Sequence, residues 1–245
     1  MSHDRIDAGE NDIDLFTSEE AVELYISRIQ DPELFPEEAK AVERYFTDTE
    51  GPVLDVGCGV GRVSHLLNER GYDITGIDVS EPLVAEARSL FPDIEFHVED
   101  VRETPFDSKS FEYIMFAYFG LDYLLPKAER VAALREMFRL LKPGGILVFS
   151  SHNSWHPLLP LSVNNLKFVI KDVFDLYVRA KNHERIGSRY KLENVPLGDI
   201  EVYLSNPVHQ WIQLRKCGYT PIDILGERDG VLRFFERDPH YVAKK

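Results

Sequence analysis

The chain has 245 residues, 44% of them hydrophobic, enough to bury one full α/β core with a modest cap. Its 42 acidic against 28 basic residues give a net charge of −14, a surface that repels nucleic acid and anionic membranes and so disfavours DNA or RNA as partner. The 2 cysteines, Cys58 and Cys217, make no disulfide framework, no apolar run reaches the roughly 20 residues that span a bilayer, and the start Met-Ser-His-Asp-Arg is unlike a signal peptide; the expectation is a cytoplasmic protein without a membrane span.

A polar start leads into a helical prefix that fills residues 1–48. Thr17-Ser-Glu-Glu20 has capping-box spacing, and Val22, Tyr25, Ile26 and Ile29 mark one helical face. Pro36 opens a second helix carrying Ala39, Val42, Tyr45 and Phe46. Residues 52 to 62, Pro-Val-Leu-Asp-Val-Gly-Cys-Gly-Val-Gly-Arg, then read as an apolar strand running into a loop with glycines at 57, 59 and 61. Such a loop lets a ligand approach the backbone where Cβ atoms would obstruct it. A dinucleotide fingerprint would need its third glycine at 62, where Arg stands, and a Walker loop would need Lys and a hydroxyl that Arg62-Val63 do not supply. Asp55 beside the loop repels a phosphate-rich ligand and tolerates one that carries positive charge.

A helix over about 62–70 ends at Gly71, and Tyr72-Asp-Ile-Thr-Gly-Ile-Asp78 is a second strand ending in a carboxylate. At the carboxyl edge of an open parallel sheet, that acid can accept from ribose hydroxyls. Ile94 to Val98 is the third strand, followed by Glu99-Asp100-Val101, and Phe111 to Phe116 is the fourth. Pro126 to Leu141 is a helix, and Lys142-Pro-Gly-Gly145 breaks it before a fifth strand at Ile146 to Ser150. The loop Ala117-Tyr-Phe-Gly-Leu-Asp-Tyr-Leu124 between the fourth strand and that helix offers Tyr118, Phe119, Asp122 and Tyr123 as walls of a reaction site.

After the fifth strand come Ser150-Ser-His-Asn-Ser-Trp-His156 and an insertion at about 154–205, with a helix from Asn164 or Asn165 to Ala180 and a strand at Ile200 to Leu204. Lys181, Arg185, Arg189 and Lys191 form its basic stretch, which reads as a solvated helix end and loop. Asn206-Pro207 starts a helix that Gly218 ends, and Tyr219 to Leu225 and His240 to Ala243 are the last strands. His152 and His156 have the spacing of a zinc pair, but no third ligand completes it, so no metal is expected.

Five blocks in order, Val53-Leu-Asp-Val-Gly-Cys-Gly-Val-Gly-Arg62, Gly76-Ile-Asp-Val-Ser80, Glu99-Asp100-Val101, Phe111-Glu-Tyr-Ile-Met-Phe116 and Leu140-Leu-Lys-Pro-Gly-Gly-Ile-Leu-Val-Phe149, resemble a class I S-adenosylmethionine-dependent methyltransferase. The resemblance implies a Rossmann-like, doubly wound α/β sheet of seven mostly parallel strands with an antiparallel last strand, occupying residues 49–245 behind the prefix. It implies S-adenosylmethionine as cofactor and S-adenosylhomocysteine as product. By the family's pattern Asp55, Gly57, Gly59 and Gly61 contact the methionine end, Asp78 the ribose, Val79 a face of the adenine and Asp100 its amino group, with Cys58, Arg62, Val101 and Phe116 completing the surroundings.

The expected acceptor is a small molecule methylated on oxygen or nitrogen. His152 is the candidate general base, since an imidazole of near-neutral pKa can take a proton as the methyl arrives, and Asp122 with Asn153 can orient the acceptor. Tyr25, Tyr118, Tyr123, His156, Tyr190, Tyr203 and His209 are the candidate substrate contacts, with Arg189. The alternatives are a cofactor-binding partner protein without catalysis and an NAD-dependent oxidoreductase on a related sheet, which Arg62 in place of the third glycine argues against.

Overall fold

In the computed structural model the described residues are 16–27, 32–156, 190–195, 198–228 and 230–245. The expected helix at 164–180, Arg189 and most of the basic stretch therefore lie outside them.

The prefix supplies α1 (Glu19–Ser27) and α2 (Pro36–Tyr45). Ser18 Oγ accepts the Ala21 N–H at 3.1 Å, and the Glu38 carboxylate reaches back to the Phe35 N–H at 2.9 Å, so each helix has its first turn closed by a side chain. β1 (Val53–Val56), α3 (Arg62–Asn68), β2 (Ile74–Asp78), α4 (Glu81–Leu90) and β3 (Glu95–Val98) follow in strict alternation. Then come β4 (Phe111–Phe116), a 3-10 turn (Gly120–Tyr123), α5 (Lys127–Leu140) and β5 (Leu141–Ser150). The chain closes with β6 (Tyr190–Val195), β7 (Gly198–Tyr203), α6 (Pro207–Lys216), β8 (Thr220–Leu225), a 3-10 segment (Gly230–Phe235) and β9 (His240–Lys244).

Seven strands form one sheet in the order β3-β2-β1-β4-β5-β9-β8. The five from β1 to β5 pair in parallel, and β9 runs antiparallel to both of its neighbours, as expected of the last strand. The order reverses between β1 and β4, and it is beyond the carboxyl ends of strands at such a point that an open α/β sheet leaves a crevice. Both faces are covered. One packs Leu54, Ile114, Leu147, Phe149 and Tyr241 against α5 and α6 through Leu134, Met137 and Leu214; the other packs Val53, Met115, Val148 and Val242 with Val42, Leu67 and Val84 of the prefix and α3 and α4. Double coverage explains why these strands read as apolar runs without alternation.

β6 was not expected. It pairs antiparallel with β7 from Tyr190 opposite Tyr203 to Val195 opposite Gly198, as a separate two-stranded sheet. Its sequence Tyr-Lys-Leu-Glu-Asn-Val alternates, yet its charges resemble those of the polar stretch before it. At the base of the insertion, Asn153 bridges to Ser205, and the Ser154 N–H donates to the Ser205 carbonyl at 2.7 Å.

Candidate functional site

The glycine loop leaves β1 with Gly57, Gly59 and Gly61 at φ 63°, 54° and 88°, a left-handed backbone that side chains with a Cβ resist. The three have different neighbours. A Cβ on Gly57 would fall 2.9 Å from the Phe116 ring, and one on Gly61 would fall 3.0 Å from the rings of Phe91 and Phe96, so these positions secure packing. A Cβ on Gly59 would meet nothing within 4 Å, because the loop there borders open space.

That space is a cavity of about 190 Å³ beyond the carboxyl edge of the sheet. Its floor is Gly57, Gly59 and Val56 of the loop, with Ile77, Asp78 and Val79 at the end of β2. One wall is Glu99, Asp100, Val101 and Arg102 after β3. The other is Phe116 with Ala117, Tyr118, Gly120, Tyr123, Leu124 and Leu125, and the prefix contributes Phe16 and Tyr25. Ser80 Oγ donates to the Phe16 carbonyl at 2.9 Å, and the Phe16 and Tyr123 rings lie 5.4 Å apart, so the prefix is attached to the cavity from two sides.

Sequence reasoning thus gathered Gly57, Gly59, Asp78, Val79, Asp100, Val101, Phe116, Tyr25, Tyr118 and Tyr123 around one space. Four of its expected cofactor neighbours are elsewhere. Asp55 is buried behind the loop on the α3 side, where its carboxylate accepts the Ser64 hydroxyl at 2.6 Å. Burial pushes its carboxyl up to about 7 despite that bond. Cys58 is buried with its thiol turned toward Gly76, and burial raises its pKa as well, which makes it an inert filler. Gly61 does not border the cavity. Arg62 points into the prefix, holding Glu38 through both nitrogens at 2.8 and 2.7 Å with its guanidinium 4.4 Å from the Phe35 ring.

The acids that do border the cavity differ in availability. Asp78 ties the loop to the strand end, one oxygen accepting the Gly59 N–H and the other the Ser80 N–H, each at 2.9 Å. Burial raises its carboxyl while those N–H groups and that of Val79 pull it back, and each oxygen keeps a second lone pair for a ligand hydroxyl. Asp100 accepts from Arg102 on both oxygens, at 3.0 and 2.9 Å from Nε, and the Arg102 backbone N–H adds a bond at 2.8 Å. Burial raises the Asp100 pKa, but the Arg102 bonds outweigh it and hold the carboxyl below its usual range. Arg102, which sequence reading missed, also reaches Glu129 of α5 at 2.8 Å. The acidic block Glu99-Asp100 was visible in the sequence; that the next turn folds Arg102 back over it was not.

Asp122 and His152 meet, but away from the cavity lining. Asp122 is fully buried and accepts on one oxygen from Arg130 at 2.7 Å and Ser151 Oγ at 2.8 Å, on the other from the His152 N–H at 2.7 Å. His152 Nδ1 lies 2.9 Å from that second oxygen. Facing a carboxylate, Nδ1 carries the proton, which makes Nε2 the basic nitrogen of the ring. Arg130, itself fully buried, is held by Leu121 O at 2.7 Å and by the side-chain oxygens of Gln210 and Gln213 at 3.0 Å. The Phe119 ring lies 4.3 Å from His152, and its chain neighbours Tyr118 and Gly120 line the cavity.

The remaining expected substrate contacts serve the insertion's base. Asn153 Nδ2 donates to the carbonyls of Phe234 and Glu236 at 2.8 Å, and His156 Nδ1 lies 3.3 Å from the Phe235 carbonyl. Tyr203 is buried with its ring 5.0 Å from the Arg130 guanidinium, and His209 Nδ1 lies 3.0 Å from Ser205 Oγ. None of these four borders the cavity; of Tyr190 the structure gives the β6 pairing only. Among the described residues no group of three or more His, Cys, Asp or Glu is disposed to hold a metal ion, and no helix is long and apolar enough to cross a membrane.

Against known proteins, residues 53–145 match the family described as methyltransferase domain. The demethylmenaquinone methyltransferase of Beutenbergia cavernae is 36% identical over 107 residues, which are 43% of this chain and 43% of that protein. The malonyl-[acyl-carrier protein] O-methyltransferase of Salmonella typhimurium is 30% identical over 99 residues, 40% of this chain and 38% of that protein. The match therefore spans less than half the length of either relative. The crystal structure of a 1,6-didemethyltoxoflavin-N1-methyltransferase of Burkholderia thailandensis, with 1,6-didemethyltoxoflavin and S-adenosylhomocysteine bound, superposes with a TM-score of 0.64 at 18% identity, covering 100% of this chain and 93% of that one. At that identity the superposition speaks for the fold.

Proposed function

We propose, from the premise that this chain carries a class I S-adenosylmethionine-dependent methyltransferase domain, that it binds S-adenosylmethionine and transfers the methyl group to an oxygen or nitrogen atom of a small-molecule acceptor. The observation that carries this reading is the union in one cavity of the open face of Gly59 with the Asp78 carboxylate. A backbone cradle for a chain-like group thus lies next to an acceptor suited to a ribose diol, and the acids around it suit a cationic ligand. When bound, the cofactor supplies a methyl carbon on a positively charged sulfur.

The protein's share is mostly placement. In this reading Asp78 holds the ribose, Val79 and Val101 flank the adenine, and the wall from Ala117 to Leu125 presents the acceptor in line with the methyl, which supplies much of the rate. Asp122 fixes the His152 tautomer, so that Nε2 can take a proton from a hydroxyl or amine acceptor that arrives protonated. His152 packs against the Phe119 ring at 4.3 Å and does not line the cavity, so this step requires the acceptor to reach beyond the lining residues. Isothermal calorimetry with S-adenosylmethionine, S-adenosylhomocysteine and NAD tests the cofactor: binding of NAD without a response to the other two would replace this reading with the oxidoreductase. Transfer of labelled methyl to a metabolite extract separates an enzyme from a non-catalytic cofactor-binding partner.

A further inference from the structure

We propose that the acceptor is a planar aromatic molecule without negative charge, seated where the cavity opens across Tyr118 onto the exposed ring of Phe35; this rests on the methyltransferase reading above. Two independent features carry it. The first is charge. Asp78, Glu99 and Asp100 border the cavity, and Arg102 is the one basic side chain among the described residues that line it. Arg102 is already engaged by Asp100 and Glu129, so it offers an entering anion no unopposed positive charge. A carboxylate or phosphate on the acceptor would enter a field of its own sign, inside a chain of net charge −14.

The second feature is shape. Tyr118 and Phe119 are consecutive non-glycine residues in the left-handed region, at φ 53° and 64°, a conformation that side chains with a Cβ rarely adopt and that clusters at ligand sites. It leaves Tyr118 on the cavity wall and 36% exposed, with the Phe35 ring stacked 6.1 Å away at an interplanar angle of 30°. Phe35 is 42% exposed, yet it is fixed from behind, its N–H held by Glu38 and its ring covered by Arg62. Two rings exposed to solvent and held by an ion pair form a preorganised ledge. Such a surface favours a flat aromatic partner over a flexible aliphatic one. On the inner side Tyr25, Tyr123 and Leu124 continue the apolar surface.

The test uses two probes of one ring system, 2-naphthol, neutral at pH 7, and 2-naphthoate, which is anionic. Each is titrated by calorimetry into the full chain saturated with S-adenosylhomocysteine. The expected result is a Kd for 2-naphthol at least about tenfold below that for 2-naphthoate, and a loss of about tenfold in 2-naphthol affinity in Phe35→Ala and in Tyr118→Ala, with Tyr118→Phe restoring it. Phe35→Ala is expected to bind S-adenosylhomocysteine as the unaltered chain does, since Phe35 does not border the cavity. Equal or tighter binding of 2-naphthoate, binding of neither probe, or indifference of 2-naphthol to both alanine variants overturns the proposal. Absence of S-adenosylhomocysteine binding in the preceding titration removes the methyltransferase reading instead, so the two failures are distinct.

Discussion

Asp55 and Asp78 stand at neighbouring strand ends, and side-chain direction separates their roles: one turns behind the loop toward Ser64, the other holds the loop at its border with the cavity. Asp78→Ala should therefore weaken S-adenosylmethionine binding by about 1.5–3 kcal/mol, the range for bonds to a charged group, and unchanged affinity in calorimetry would remove Asp78 from the site. Asp55 has a different signature. Its folded pKa of about 7 exceeds the ordinary carboxylate value, so the folded state holds a proton that the unfolded chain releases, and stability falls as pH rises from about 4 to about 7. His240, buried on β9 and facing Glu38 and Arg62, works in the opposite sense: burial lowers its pKa to about 4, so stability is lost as pH falls from about 6.5 toward 4. Denaturant titrations across this range should show Asp55→Asn gaining stability relative to the unaltered chain as pH rises, and His240→Phe gaining it as pH falls. Parallel curves would place both groups in ordinary surroundings. For His152→Ala the expectation is a large fall in kcat with cofactor affinity unchanged, and equal loss of both would mark a structural role.

At the scale of elements, the ion pair between α3 and α2 joins the prefix to the end of the glycine loop. Arg62 leaves the glycine loop as the first residue of α3, and its partner Glu38 is fully buried while closing the first turn of α2. Removing one partner leaves a charge largely withdrawn from water, which costs about 3–5 kcal/mol. Thermal unfolding of Glu38→Ala should accordingly show a clear drop in Tm; a change within error would mean that water reaches Arg62 freely. The main elements were legible because buried parallel strands are uniformly apolar and because Pro36, Pro207 and Gly71 punctuate the helices. β6 was not, because a hairpin outside the core takes its identity from its partner β7 rather than from apolar composition. Arg62 was misassigned for a related reason: nothing local reveals that Glu38, 24 residues earlier, returns to meet it.

For the molecule as a whole, the doubly wound, mostly parallel sheet with its antiparallel last strand followed from five ordered blocks, whereas the partners of Asp100, His152 and Asn153 depended on loops brought together from distant segments. The charge of −14 carries its own prediction. If self-repulsion dominates, Tm should rise with added sodium chloride as screening shortens the range of repulsion to about 3 Å near 1 M, and a steady fall in Tm would show that it does not. The clamp of Asn153 and Ser154 on Ser205 bears on how the fold takes up changes of length in the insertion. Because it joins residues at the two ends of the insertion, those ends stay fixed to each other, and for a chain segment between fixed ends the closure cost grows only with the logarithm of its length. A change in the length of the chain between His156 and β6 should therefore leave the strands that hold the glycine loop undisturbed, provided the buried Ile200, Val202 and Tyr203 of β7 are kept.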